Sequence, residues 1–358
     1  MALPDEIEAI LIDNFVPKTS DLRVSSIPLP LPPEKRDTTL LIRTTHVSAS
    51  HVDMLYFQGK HQNNRRHARP PFVLGTEFSG IIAYAPASSP FKPGDPVFGT
   101  ARGAFADYVA VEAGTEGAVR RVPEAWGLRG AAAVGISGPV SYGALVYAGR
   151  MKKGETVLVL GAGGGLGVIA VQIAKQFGAR VIAVVNTGAG SEGKVEMLKK
   201  LGADAVIGYQ KEGWEEEVRK ATPDGQGVHL VYDGVGAVLS SIKCCRFGGR
   251  VVIVGFAGRG GKMEDLKVNR VLLKQISLVG YRFGESSRQF PDHAKAVWDE
   301  FMQMVSEGKI KPVEYAESYN GLRDIPRALE DMHQRKVWGR AVVKISEEQG
   351  VEASRPRL

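Results

Sequence analysis

Cysteine is almost missing from this chain: of 358 residues only Cys244 and Cys245 carry thiols, and they are neighbours. Two thiols cannot build a four-thiolate zinc lobe, and a disulfide between adjacent residues is strained. The expectation is a reducing compartment. Long apolar runs are missing too; none reaches the ~20 residues that a membrane helix needs. The opening Met1-Ala2-Leu3-Pro4-Asp5-Glu6 is acidic, without the basic and apolar blocks of a secretory signal. A cytoplasmic protein is therefore expected. With 44% hydrophobic, 24% charged and 8% aromatic residues, the composition excludes a disordered chain, a collagen-like fibre and a disulfide scaffold. The net charge of +7, from 46 basic and 39 acidic residues, suits nucleic acid, an anionic cofactor or an anionic substrate alike. What the chain holds in plenty is glycine, 43 residues, which points to tight turns and close backbone approaches. Its length exceeds one comfortable core and suggests two domains.

The cues change once along the sequence. Up to about residue 135 short strands alternate with turn signals. Leu40–Arg43, Ser79–Tyr84, Val97–Gly99 and Phe105–Val111 read as strands of a small, partly open β-barrel. From Ser137-Gly138-Pro139, a helix-start signal, strands and helices alternate. Strands are expected at Glu155–Leu160, Val181–Val185, Ala205–Ile207, Leu230–Tyr232, Val251–Val254 and Ile276–Gly280, forming a doubly wound parallel sheet. A long helix, Ala294–Ser306, and a last strand, Ala341–Ile345, are expected to return to the first domain. The fold class is α/β, with a parallel-sheet domain at 138–283 and a discontinuous β-barrel domain at 1–137 and 284–358.

The strongest motif lies at Val157-Leu158-Val159-Leu160-Gly161-Ala162-Gly163-Gly164-Gly165-Leu166-Gly167, a strand running through a glycine turn into a helix. Bare backbone there lets a diphosphate reach N–H groups, and the helix start adds positive charge. Within a strand–turn–helix context this is a dinucleotide site, with Ala162 where the usual pattern has its first glycine. Gly161, Ala162, Gly164, Gly165, Leu166 and Gly167 are its expected lining, with Val254 at a neighbouring strand end. An acidic residue about 20 positions on would hold the ribose 2′-hydroxyl of NAD. The second strand ends instead at Asn186-Thr187-Gly188, with Lys194 following. A neutral strand end followed by a lysine accepts a 2′-phosphate without repulsion, so the expected cofactor is NADPH. The competing reading of Lys194 is a solvated helix lysine.

With these motifs go Ser50-His51-Val52-Asp53, Gly75-Thr76-Glu77-Phe78-Ser79-Gly80, Pro93-Gly94-Asp95, Leu201-Gly202-Ala203-Asp204, Val231-Tyr232-Asp233-Gly234-Val235-Gly236 and Gly248-Gly249-Arg250. Over nearly its whole length the chain resembles the medium-chain dehydrogenase/reductase superfamily, specifically its zinc-independent NADPH:quinone oxidoreductase (zeta-crystallin-like) branch. The resemblance implies a GroES-like catalytic domain beside a Rossmann domain, with the nicotinamide in the cleft between them. Zinc members of the superfamily use a Cys/His/Cys set; here the His position is Thr76, the second Cys position is Ile136, and Val47–Ser50 holds no Cys. No metal site is expected. The resemblance further implies that Lys194, Tyr209 and Arg335 grip the 2′-phosphate. The competing reading of Tyr209 is an aromatic covering the sheet end.

On the acceptor side the resemblance points to Ser50, where the branch commonly has Asn, to Asp53, and to Tyr56 near a position often held by Tyr. In related enoyl-thioester reductases the proton-donor Tyr falls where His61 follows Gln58-Gly59-Lys60. A histidine can serve as general acid, although a solvated loop histidine fits the same sequence. Lys60–Arg69 is unusually basic and reads as a solvated loop, a grip for a CoA phosphate or an RNA contact. The lack of interleaved aromatics weakens the last. Pro356-Arg357-Leu358 resembles a peroxisomal address.

The expected activity is metal-free hydride transfer from NADPH to a quinone or an α,β-unsaturated carbonyl. Enoyl-thioester reduction is the alternative within enzymes, and a non-catalytic NADPH-binding or RNA-associated protein the alternative outside them. Apolar strands at Val251–Val254 and Ile276–Gly280, taken as sheet edges, predict a homodimer.

Overall fold

A computed structural model describes residues 3–65, 67–112, 118–188, 191–259 and 264–348, the side chain of Pro33 excepted. Arg66 of the basic segment and the C-terminal Pro356-Arg357-Leu358 lie outside the described residues. The chain divides into two units, residues 1–136 with 314–358, and residues 137–313.

The second unit is built on six strands: β9 (Thr156–Leu160), β10 (Arg180–Val185), β11 (Ala205–Gly208), β12 (Val228–Asp233), β13 (Cys245–Ile253) and β14 (Ser277–Gly280). Their order is β11-β10-β9-β12-β13-β14 and every pairing is parallel. Parallel strands are covered by helices on both faces and so read as unbroken apolar runs. β9 is buried at all five positions, and Leu158, Leu160, Ile182, Val184, Val231 and Val251 form the core beneath it. The strand order reverses between β9 and β12, where a doubly wound sheet opens a crevice at its carboxyl ends.

Two expectations are corrected here. Val251–Val254 is not an edge: β13 lies between β12 and β14, and β14 alone closes that side of the sheet. An apolar run is the mark of burial from both faces, which an interior strand needs more than an edge. The second domain also extends past residue 283. Helix α10 (Pro291–Ser306) packs on α3 (Ser137–Tyr142): Phe301 lies 2.2 Å from where a Cβ on Gly138 would stand, and Tyr142 Oη donates to Glu300. Gln172 then holds Lys311 through both its backbone N–H and carbonyl. Only at Glu314 does the chain rejoin the first unit.

The first unit centres on β3 (Thr39–Ala49), eleven residues long against the four expected at Leu40–Arg43. Nearly all of it is buried on both faces, so the alternation that marks a strand never appears in its sequence. It pairs with β5 (Glu77–Tyr84), β7 (Tyr108–Glu112) and, on return of the chain, β16 (Ala341–Lys344) in register Ala341–Ala49. β6 (Pro96–Thr100), β8 (Val119–Arg121) and β15 (Tyr319–Asn320) complete that sheet, and β1 (Glu6–Ile12), β2 (Val24–Pro28) and β4 (Phe72–Val73) form a smaller one. The short helix α1 (His51–Phe57), unforeseen in the sequence, follows β3 directly and carries most of the acceptor-side candidates.

Candidate functional site

In the second unit, β9 enters the helix α4 (Gly165–Gln176) through a turn only glycine can make. Gly161 takes a φ of 67°, a left-handed conformation that L side chains rarely adopt. A Cβ on Gly167 would fall 2.4 Å from Gly161 O and 2.5 Å from Ala162 Cα, so the helix start is pressed onto the turn. Gly164 caps α4 with extended backbone and no side-chain hydrogen bond. No cap side chain takes the first-turn N–H groups of this twelve-residue helix, and the positive end of the helix dipole stands behind them. This arrangement fits a diphosphate.

Around that turn the candidates of the second unit gather near the carboxyl ends of the strands. Asn186, following β10, is occupied in a local turn: its Oδ1 accepts the Gly188 N–H at 2.9 Å. Tyr209 follows β11, its N–H donating to Val185 O, and its ring is partly exposed. Val254 N–H donates to Asp233 O at 2.8 Å, which places it at the end of β13 next to β12. Lys194, in the first turn of α5 (Glu192–Lys200), is buried, contrary to the reading of it as a solvated lysine. Arg335 belongs to the first unit, one residue beyond the cap of α11 (Ile325–His333), with φ of 62°.

Asp233 is a site residue that its sequence motif alone does not single out. It is buried at the end of β12 and accepts from Val235 N–H, Gly236 N–H and Ser241 Oγ at 2.9, 2.8 and 3.1 Å. Burial raises its pKa while those three donors pull it down. The group thereby fixes the loop at the mouth of the sheet. The Asp-Gly pair closing an apolar strand was the signal for it.

In the first unit Ser50 and Asp53 open α1 as a reciprocal cap. Asp53 Oδ2 accepts from Ser50 Oγ at 2.7 Å and from Ser50 N–H at 2.9 Å; its Oδ1 accepts from Thr76 Oγ1 at 3.2 Å. Asp53 is fully buried, and desolvation, reinforced by the charge of Glu77, lifts its pKa to about 7 against the pull of these donors. Glu77 is itself buried and paired with Arg340 at 2.9 Å, and its Oε2 accepts the Ile136 N–H at 3.1 Å. Burial raises the Glu77 pKa and the Arg340 charge opposes the rise. Neither Glu77 nor Arg340 is legible as a site residue in the sequence, since their partners lie far along the chain.

Tyr56 and His61 stack with ring centroids 4.3 Å apart. Asn63 joins them: its Nδ2 donates to Tyr56 Oη at 3.0 Å, and its N–H donates to His61 Nδ1 at 3.1 Å. His61 is therefore not a freely solvated loop residue: its Nδ1 accepts a backbone N–H and its ring lies against Tyr56. Asn64 pins the same loop by donating to Tyr56 O and Ala68 O.

The residues at the positions of the zinc ligands do not fit a metal. Thr76 offers a hydroxyl already donating to Asp53, Ile136 offers no donor side chain, and neither replaces thiolate or imidazole.

Two family models match, a zinc-binding dehydrogenase domain over residues 165–304 and an alcohol dehydrogenase GroES-like domain over residues 36–133. The chain is 33% identical over 304 residues to quinone oxidoreductase-like protein 2 of Bos taurus, covering 82% of this chain and 81% of that protein. A probable oxidoreductase from Mycobacterium abscessus superposes with a TM-score of 0.81 at 31% identity, over 96% of this chain and all of the other. A mycobacterial protein solved in complex with NADPH gives a TM-score of 0.82 at 26% identity, over 94% and 99%.

Proposed function

This chain belongs to the medium-chain dehydrogenase/reductase superfamily, in its zinc-independent quinone oxidoreductase-like branch, and on that premise we propose that it is an NADPH-dependent reductase of quinones or α,β-unsaturated carbonyls. One observation carries the reading: the left-handed Gly161 turn delivers an uncapped helix start beside a buried lysine, a cradle for a diphosphate and a 2′-phosphate together. The NADPH-bound mycobacterial relative supports it.

When bound, NADPH supplies the hydride; the side chains bind, orient and handle the proton. The α4 N–H groups would hold the diphosphate, and Lys194 and Tyr209 of the same unit would hold the 2′-phosphate. Ser50 Oγ faces a choice set by Asp53. With Asp53 ionised, the single Ser50 proton is committed to the carboxylate at 2.7 Å. With Asp53 protonated, the carboxyl donates to Ser50 Oγ and the serine proton is free for an acceptor oxygen. Asp53 thus acts as the proton source behind Ser50, while Tyr56 Oη and the His61 ring are the alternative donors. The test is NADPH oxidation against a panel of ortho- and para-quinones, enones and crotonyl-type thioesters. Turnover of quinones or enones is the expected result; turnover of thioesters alone selects enoyl-thioester reduction, and an unreduced panel selects a non-catalytic protein.

The active form is a homodimer joined edge to edge at β14. Beside that edge α8 (Asn269–Lys274) has no buried residue, and its Val268 cap, Leu272 and Leu273 are 71%, 80% and 72% exposed. Apolar side chains in such number next to an open strand favour pairing with a second copy.

A further inference from the structure

Gly163 occupies the middle of the nucleotide turn, and we propose that it sets the preference for a 2′-phosphorylated dinucleotide by making room for Lys194. The proposal rests on the cofactor reading above. A lysine in the first turn of a surface helix ordinarily stands in solvent, yet Lys194 is only 7% exposed. Its stem is laid across the turn: a Cβ on Gly163 would lie 2.8 Å from Lys194 Cδ, 3.1 Å from Cγ and 3.5 Å from Cε. These contacts run along the methylene stem and not at its tip, so a rotation of the ammonium end does not relieve them. A methyl group at 163 evicts the whole arm.

Backbone geometry does not demand glycine here. Gly161 has a left-handed φ, whereas Gly163 has none. Gly164 differs as well, since its Cβ would meet only Gly161 O at 3.6 Å. What Gly163 provides is space, and the lysine stem fills it. The outer flank of α5 offers no substitute for a phosphate: the shallow pocket of about 330 Å³ there, lined by Thr187, Ser191, Val195 and Lys199, also carries Glu192 and Glu196. Like charge on those two acids disfavours a phosphate.

Fluorescence titration of the intact chain with NADPH and with NADH tests this in five proteins: wild type, Gly163→Ala, Lys194→Ala, the double variant, and Gly193→Ala. Gly193 neighbours Lys194 in α5 but has open space at its Cβ, so it controls for helix effects. Gly163→Ala is expected to weaken NADPH roughly tenfold, the value of one charge-assisted hydrogen bond, and NADH by less than about twofold. Gly193→Ala should match wild type, and the double variant should bind NADPH as Lys194→Ala does, because both substitutions act through one side chain. The double variant also removes the stem that a misfolded Gly163→Ala would collide with. Equal weakening of both cofactors by Gly163→Ala, no change, or additive losses in the double variant overturn the glycine's role alone. A wild type that binds NADPH and NADH equally overturns the cofactor reading, and this proposal with it.

Discussion

Asp53 and Glu77 are adjacent in space within one buried region and differ in how their charge is met. Glu77 has a guanidinium at 2.9 Å; Asp53 has only hydroxyl and N–H donors, and its pKa rises to about 7. If Asp53 feeds protons through Ser50, kcat should fall as pH rises through about 7, and Asp53→Asn should remove that limb while lowering kcat. Stability carries the same signature. The folded pKa lies above the unfolded value of 3.8, so protonated Asp53 favours the fold, fully below pH 4 and less so as pH rises to about 7. Between those limits the group costs up to ~1.4 kcal/mol per pH unit, and chemical denaturation of Asp53→Asn should show a flatter dependence. Arg340→Leu leaves Glu77 buried with its charge uncompensated, and should destabilise by about 3–5 kcal/mol in the same denaturation assay. The sequence announces Asp53 through the Ser-x-x-Asp cap, a local pattern. It does not announce Glu77, whose charged partner Arg340 arrives just before the last strand, more than 260 residues on.

At the scale of elements, β9 and α4 were legible because a buried parallel strand, a glycine cluster and an apolar helix each leave a strong local pattern. β3 was legible only in part, since burial on both faces erased its alternation over the remaining seven positions. Helix α1 leaves no readable periodicity, since seven residues give too few turns, although its Ser-x-x-Asp cap pair is a local pattern. That β13 is interior is not legible in the sequence, because neighbour relations are set by crossovers, which composition does not encode. The dimer prediction therefore moves wholly to β14 and α8. Leu272→Asp with Leu273→Asp should convert a dimer to a monomer in analytical ultracentrifugation at micromolar concentration, with the melting temperature of the unit that carries α4 little changed. A wild-type monomer under those conditions contradicts the edge-to-edge arrangement.

For the whole molecule, the two-domain organisation and the return of the chain to its first unit were readable from one change of pattern and one late strand. The point of return was not: α10 is amphipathic and would suit either unit, and only the fit of Phe301 over Gly138 and the Tyr142–Glu300 bond assign it. Functional legibility followed the same rule. Chemistry written in consecutive residues, the glycine turn above all, could be read; chemistry assembled from distant ones, such as the Lys194 stem over Gly163, could not.

The central claim is that this turn and helix start hold a 2′-phosphorylated dinucleotide. Isothermal titration calorimetry of the full chain with NADPH, repeated with NADH, tests it most directly. Saturable one-to-one binding with NADPH the tighter ligand by tenfold or more is the result expected from a lysine-anchored phosphate. No heat with either dinucleotide, or a preference for NADH, would contradict the account.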